Sequence, residues 1–400
     1  MQDPHLARMA KCPCLIHNQG ADMSIDRRTF GRGIAAGLGA TLAGSSALAQ
    51  SESASAAQSE EGGMRYGKSF TITNSAAGNE LLVIGASPSG ALALLVRYQT
   101  FGAGSGSGLG SQGAVTLSDD GRYLFAVNAG SNTVSTFAVR HGALSLVSVH
   151  DSGGLHPISV SECDGLVYVL NDGGAGNVAG FRNEGGTLRP VQGSVRPLSA
   201  AGGTGPAQVA IGAEADVLVV TEKNTNRLVT YALSNTGRAG PPRITASAGA
   251  TPFGFAFDRR NRMLVSEAGA STLSSYRFDD VAPTQPIIVS PAVPTTQAAA
   301  CWAAVTPNGR FVYTGNAGTN SISQFAIDRR GAVTLVAAAA ASTAGGGAGD
   351  IAMAGHGRSL SILAPRTPAV FTFTVAADGS LTPSGSVRGL PAGVVGLAAN

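Results

Sequence analysis

From Leu117 onward the chain alternates short apolar runs with turns rich in Gly, Asn and Asp. Tyr123 to Val127 is one such run, set between the Asp120-Gly121 turn and the Asn128 to Asn132 turn. Thr133 to Val139 is the next, ending at Arg140-His141-Gly142. Apolar runs of this length bounded by such turns predict strands, and glycine at the tight turns tolerates positive φ. The unit returns: Asn316-Ala-Gly-Thr-Asn-Ser-Ile-Ser-Gln-Phe325 repeats Asn128-Ala-Gly-Ser-Asn-Thr-Val-Ser-Thr-Phe137 almost residue for residue. Aligned on the large apolar residue that closes the third strand, the repeats fall at Ile84, Phe137, Phe181, Tyr231, Tyr276, Phe325 and Phe373, separated by 44 to 53 positions. That period suits a four-stranded propeller blade.

The second strands, such as Leu166-Val-Tyr-Val-Leu170 and Phe311-Val-Tyr313, do not alternate. They predict strands covered on both faces, as in a blade sandwiched between its neighbours. The first repeat begins at a second strand, Phe70 to Asn74, with no inner strand before it. Val394 to Ala399 resembles the inner strands Gly113 to Leu117 and Gln208 to Ile211 and can supply it. The predicted fold is all-β: a seven-bladed β-propeller of four-stranded antiparallel blades over residues 66–400, with the ring closed by the C-terminal strand. Such a seam leaves few exposed edges.

In a blade of this connectivity the second turn and the link to the next blade share one rim, where functional side chains are to be sought. The second turns carry Asn128, Asn171, Glu222, Lys223, Glu267 and Asn316, and the links carry His156, Gln208, Phe253, Trp302 and Asp350. Convergent polar groups beside an aromatic plate suit a small-molecule pocket. Asn in a turn ordinarily caps its own backbone, His156 before Pro157 can bond a loop carbonyl, and Trp302 can simply fill the channel. Glu222 and Glu267 stand where turns use Asn, which no turn requires, so they are the stronger candidates. Glu222 is expected on the surface near His156, with Lys223 holding it ionised. The Gly-rich stretch Phe101 to Gly110 has glycines at every second position and no helix after it, so it is not a nucleotide loop. It reads as a flexible rim connector, or as amides able to cradle a carboxylate.

Composition narrows the function. With 55 Gly and 13% charged residues in 400, the chain can turn often and still bury a large core. Setting aside residues 1–49, which hold five Lys and Arg and three Asp, the net charge of +3 becomes about +1. No electrostatic footprint for nucleic acid remains. Asp26-Arg27-Arg28-Thr29-Phe30-Gly31-Arg32 precedes an uncharged run ending in Ala47-Leu48-Ala49. This resembles a twin-arginine export signal over residues 1–49, with 1–22 an upstream extension before Met23; an ordinary secretory signal or uncleaved anchor is the alternative. Residues 50–65 read as a disordered tether, and the mature protein is expected in the periplasm or secreted, without membrane attachment. Cys163 and Cys301 are expected as small buried residues. Zinc-ligand spacings and nucleophile elbows are absent. Glu222, Glu267 and Asp350 are the carboxylates from which an oxygen-lined divalent cation site could be built, but they are spread over three blades, so no cofactor is expected. Nothing assigns an oligomeric state.

Leu117-Ser-Asp-Asp-Gly-Arg-Tyr-Leu-Phe-Ala-Val-Asn128 and Val305-Thr-Pro-Asn-Gly-Arg-Phe-Val-Tyr-Thr-Gly-Asn316, with the blade count, resemble the seven-bladed lactonase propellers, which include 6-phosphogluconolactonases and carboxymuconate-lactonizing enzymes. The resemblance implies a catalytic His at His156 and an acid at Glu222. It also implies two anion-pairing arginines, but the chain has Pro206-Ala207-Gln208 and Ala268 at those positions. The expectation is an exported lactonase acting on a lactone or related organic acid, and not a phosphorylated one, with Glu222 or His156 as base and Lys223 at the oxyanion. The alternative is a non-catalytic propeller that binds a small ligand or protein at the same mouth.

Overall fold

The computed structural model describes residues 67–400 except 141, 142, 213, 215, 280, 281 and 283. The signal and tether read from the sequence lie outside the described residues. Seven antiparallel sheets form the blades, and six of them are ordered from the channel outward in chain order. Blade 2 runs from the inner strand Val115–Leu117 to the outer strand Ala143–Asp151, blade 3 from Pro157–Cys163 to Thr187–Pro190, and blade 4 from Pro206–Ile211 to Arg243–Ala246. Blade 5 runs from Pro252–Phe257 to Pro286–Pro294, blade 6 from Ala300–Val305 to Val333–Ser342, and blade 7 from Ile351–Ala354 to Leu381–Arg388. Among the described residues the one helical element is the 3-10 turn Gly355–Gly357. None of their helices is long and apolar enough to cross a membrane.

Blade 1 is assembled from both ends of the domain. Its inner strand is Val395–Ala399, which pairs with Ser69–Ile72 before Glu80–Ala86 and Leu92–Gln99 follow outward. The missing inner strand of the first repeat is thus supplied from the C-terminus. Blade 3 departs from the simple repeat: Pro190 and the left-handed Gly193 interrupt its outer edge, and Arg196–Pro197 resumes pairing with Asn177–Glu184.

Burial explains the absence of alternation in the second strands. Leu166–Asn171, Val217–Glu222 and Phe311–Asn316 are buried at every position, whereas the outer strand Leu92–Gln99 is largely exposed. The repeat-marking residues Ile84, Phe137, Phe181, Tyr231, Tyr276, Phe325 and Phe373 are all in the core, as are Cys163 and Cys301. Tyrosines tie neighbouring blades: the Tyr168 and Tyr313 hydroxyls donate to Gly237 O and Gly379 O, each at 2.7 Å. A buried hydroxyl with such a partner contributes its ring to the core without an unmet donor.

Asp350 stitches the seam. Its carboxylate accepts from Gly113 N at 3.1 Å, Leu397 N at 3.2 Å and Ile351 N at 2.9 Å, joining blade 7, the closing strand and the lead into blade 2. Burial pushes its pKa up to about 7 against the opposing backbone donors. Glu162 is likewise raised to about 7, by burial and then by the charge of Asp119. Both acids bind protons more tightly folded than unfolded. Their contribution to stability is therefore complete below about pH 4 and is lost as pH rises through about 7. The melting temperature is expected to fall between pH 5 and pH 8 in calorimetry. A rise over that window would contradict these protonation states.

Candidate functional site

The rim is built from one device used repeatedly. The second strand of six blades ends, at or just after its last paired residue, in Asn74, Asn128, Asn171, Glu222, Glu267 or Asn316, and all six side chains are buried. Asn128 donates from Nδ2 to Thr133 Oγ1 and Ser135 Oγ, and Asn316 donates in the same register to Ser321 Oγ and Ser323 Oγ. Glu267 uses the same two places with the bonds reversed, accepting from Thr272 Oγ1 at 2.5 Å and Ser274 Oγ at 2.7 Å. A hydroxyl can donate or accept, so one strand pair serves either an amide or a carboxylate. Ser247 Oγ and Gly249 N also donate to Glu267.

Glu222 obeys the same rule, and this corrects its expected place on the surface. It is fully buried and accepts from Ser199 N at 2.9 Å, Ser199 Oγ and Thr225 Oγ1 at 2.6 Å. Its hydrogen-bond partners lie in the link and turn of its own blade and do not include His156. Asn171 donates to Ser152 O and Asn177 Oδ1, again clasping a link. Gln208 also faces protein: its amide both donates to Phe255 O and accepts from Phe255 N, bridging blades 4 and 5. With Asp350 in the seam, the three carboxylates considered for a cation are each occupied by protein donors in separate places. Among the described residues no group of three metal-ligating side chains comes together.

The positions that define the mouth lie one residue beyond the clasps. In blades 3 to 6 a left-handed residue precedes the inner strand, at His156 (φ 55°), Gly205 (57°), Thr251 (59°) and Ala299 (56°). The carbonyl of each accepts from the residue after the clasp: Asp172 N at 3.0 Å, Lys223 N at 2.9 Å, Ala268 N at 2.8 Å and Ala317 N at 2.8 Å. The rim therefore has a polar sector, His156 with Asp172 and Gly205 with Lys223. An apolar sector follows, Thr251 with Ala268 and Ala299 with Ala317. Left-handed backbone is uncommon for a residue with a Cβ, and histidine is among the side chains that adopt it more readily. Asn132 Oδ1 fixes it by accepting from His156 N at 2.7 Å.

Lys223 is the charged group of the mouth with the most defined surroundings. Its Nζ donates to Gly110 O at 2.6 Å and Pro206 O at 2.9 Å and lies 5.1 Å from the centre of the Phe253 ring. Burial lowers its pKa, and the charge of Asp172 partly offsets that. Two of the three ammonium donors are used, leaving one for a ligand oxygen. Phe253 meets Trp302 edge to face, with centroids 5.2 Å apart and planes at 63°. Trp302 Nε1 donates to Ser111 O at 3.0 Å, which fixes the indole. Phe253, Cys301 and Ala207 form a buried apolar cluster, with Ala268, Ala299, Trp302 and Ala317 packed against it. The two alanines that replace implied arginines thus belong to one apolar surface.

The first half of the glycine-rich loop packs closely on the clasps. A Cβ on Gly102 would lie 2.3 Å from Asn128, and one on Gly104 would lie 2.1 Å from the Asn74 backbone, so these glycines permit close approach to the clasps. Gly104 N and Gly106 N donate to Ser75 O and Asn74 O. The loop then crosses the channel. Gln112 N donates to Ala207 O in blade 4, while the Gln112 amide pairs both ways with the Ala303 backbone in blade 6, at 2.9 and 3.1 Å. Ser111 Oγ donates to Ile158 O in blade 3, and Gly254 of blade 5 lies against Gln112. Residues 110–113 plug the channel beneath the mouth, so ligands meet a floored cup. Sequence reasoning missed both Asp172 and Gln112. Asp172 could have been found from the repeat register, as the residue one beyond Asn171; nothing local to Gln112 points to a partner in blade 6.

The fold and the rim define a seven-bladed propeller whose candidate site is a plugged channel mouth. The family described as Lactonase, 7-bladed beta-propeller, matches residues 78–196 and 270–395, and this chain belongs to it. Among solved structures it is similar to a protein from Lactobacillus plantarum (14% identity, TM-score 0.66, covering 84% of this chain and 99% of that one). It is similar as well to a 6-phosphogluconolactonase candidate from Bacteroides fragilis (16%, 0.60, 84% and 99%) and to a streptogramin B lyase (14%, 0.53, 74% and 88%). At these identities the likeness is one of fold. No curated relative matches the chain by sequence.

Proposed function

We propose that this propeller hydrolyses an unphosphorylated lactone at the mouth formed by blades 3 to 6. The observation that carries the reading is Lys223, an ammonium set over an aromatic ring with one donor unused. In the proposed reaction His156 takes a proton from water, and the hydroxide adds to the lactone carbonyl carbon. The oxygen that becomes negative is held by Lys223. Collapse breaks the ring C–O bond, and the imidazolium returns its proton to the departing alkoxide, giving the hydroxy acid. A positioned base contributes roughly 100- to 10,000-fold, so His156→Gln is expected to reduce kcat by at least about 100-fold. Ring opening followed by pH-stat over a panel of neutral lactones tests this. Wild-type rates equal to buffer for every lactone would remove the reading. Chelator is expected to leave the rate unchanged, because Glu222, Glu267 and Asp350 are held by protein donors.

A second reading, a binding propeller without turnover, is favoured by one observation: the acid that the resemblance casts as catalytic, Glu222, is committed to Ser199 and Thr225. Saturable lactone binding without ring opening would select it.

We further propose export through the twin-arginine route, on the strength of Arg27-Arg28 before an uncharged run. Replacing both with Lys is expected to leave folded precursor inside the cell. Unchanged export of that variant would refute the route.

A further inference from the structure

Resting on the reading of the mouth as a lactone site, we infer that it selects uncharged lactones carrying an aliphatic or aromatic substituent, which lies on the apolar sector of blades 5 and 6. The carbonyl end is addressed by Lys223; the substituent by what lies beside it. Phe253 links the two, since its ring lies 5.1 Å from Lys223 Nζ and meets Trp302 edge to face. Beyond it, Ala268, Ala299 and Ala317 are half-buried, as Trp302 is, so the surface remains open above the buried Phe253 and Cys301. The rim residues of this sector, Thr251, Ala268, Ala299 and Ala317, bear no charge.

Charge argues the same way. An anionic substituent would find Lys223, whose ammonium already donates to two carbonyls and is partly balanced by Asp172, and at the edge of the sector Arg366, whose guanidinium is already engaged by Ala317 O and Asn320 Oδ1. An apolar substituent needs no partner and gains from leaving water, about tenfold in affinity for every two methylenes buried. The fixed indole offers a preformed surface, so little freedom is lost on binding.

Trp302 is the only tryptophan in the chain, which makes its fluorescence a reporter of this site alone. The test titrates the protein with δ-valerolactone, δ-decanolactone and a phosphorylated sugar lactone at near-neutral pH, following Trp302 emission, with ring opening measured in parallel. The expected result is saturable change with δ-decanolactone, at least about tenfold tighter than with δ-valerolactone, and weaker binding of the phosphorylated compound. Ala268→Arg, and separately Ala317→Arg as a second variant, should erase most of that chain-length preference in whichever protein retains the wild-type melting temperature. Equal affinities for the two δ-lactones, or tighter binding of the phosphorylated one, would overturn the inference even if ring opening occurs. Chain-length-dependent binding without ring opening would uphold it while removing hydrolysis.

Discussion

A chain ending at Val394 is expected to lose cooperative folding. That truncation removes the inner strand of blade 1, and with it the pairing of Ser69, Phe70 and Ile72 and the buried Leu397 and Ala398. It also removes Leu397 N from Asp350, as well as Asn400, which bonds Lys68 N, Lys68 O and Gly355 N. Burying one Leu side chain contributes about 1.5 to 3 kcal/mol, and a domain's net stability is only about 5 to 15 kcal/mol. Opening the ring also exposes Phe70 and Ile72 along an unpaired strand edge, which invites association between chains. The measurements are a circular dichroism melt and gel filtration. A monodisperse truncated protein melting within a few degrees of the full chain would show that the seam is not needed.

Lys223→Met is expected to reduce kcat/KM for any lactone turned over by roughly 100- to 1,000-fold, the usual loss when one oxyanion donor is removed. Methionine keeps a long apolar stem against Phe253, so the cup stays filled while the charge is lost. Glu222→Gln is the informative companion. Glu222 is not a surface residue, yet glutamine can keep its contacts: the carbonyl oxygen accepts from Ser199 N, and the amide donates to the Ser199 and Thr225 hydroxyls, which can turn to accept. No buried donor is left unmet, so this variant should melt close to the wild type and keep near-normal turnover. The reverse pattern, an inactive but stable Glu222→Gln and an active Lys223→Met, would return the acid to the centre of the mechanism.

The two glutamates show where sequence reasoning stops. Their register at the end of a second strand was legible, because each repeat is a local run of hairpins and the spacing carries from blade to blade. Whether the carboxylates face ligand or protein depended on hydroxyls elsewhere in the blade, Ser199 in the link before blade 4 and Thr272 and Ser274 in the third strand of blade 5. Serine and threonine are common in any link or strand, so nothing in their local sequence marks them as partners of an acid.

The chain's own sequence determined the seven units, the both-face burial of the second strands, the borrowing of the last strand to close the first blade, and the rim on which a site could form. Each follows from periodicity and from the need to pair every strand edge. Only the tertiary structure decided that residues 110–113 plug the channel, because Gln112 meets a backbone 191 residues away. It likewise decided that Lys223, and not Glu222, presents its charge at the mouth, and that Ala207, Phe253, Ala268, Cys301 and Trp302 from three blades make one apolar surface. Those contacts join parts of the chain with no pattern in common, and ring closure alone brings them within reach.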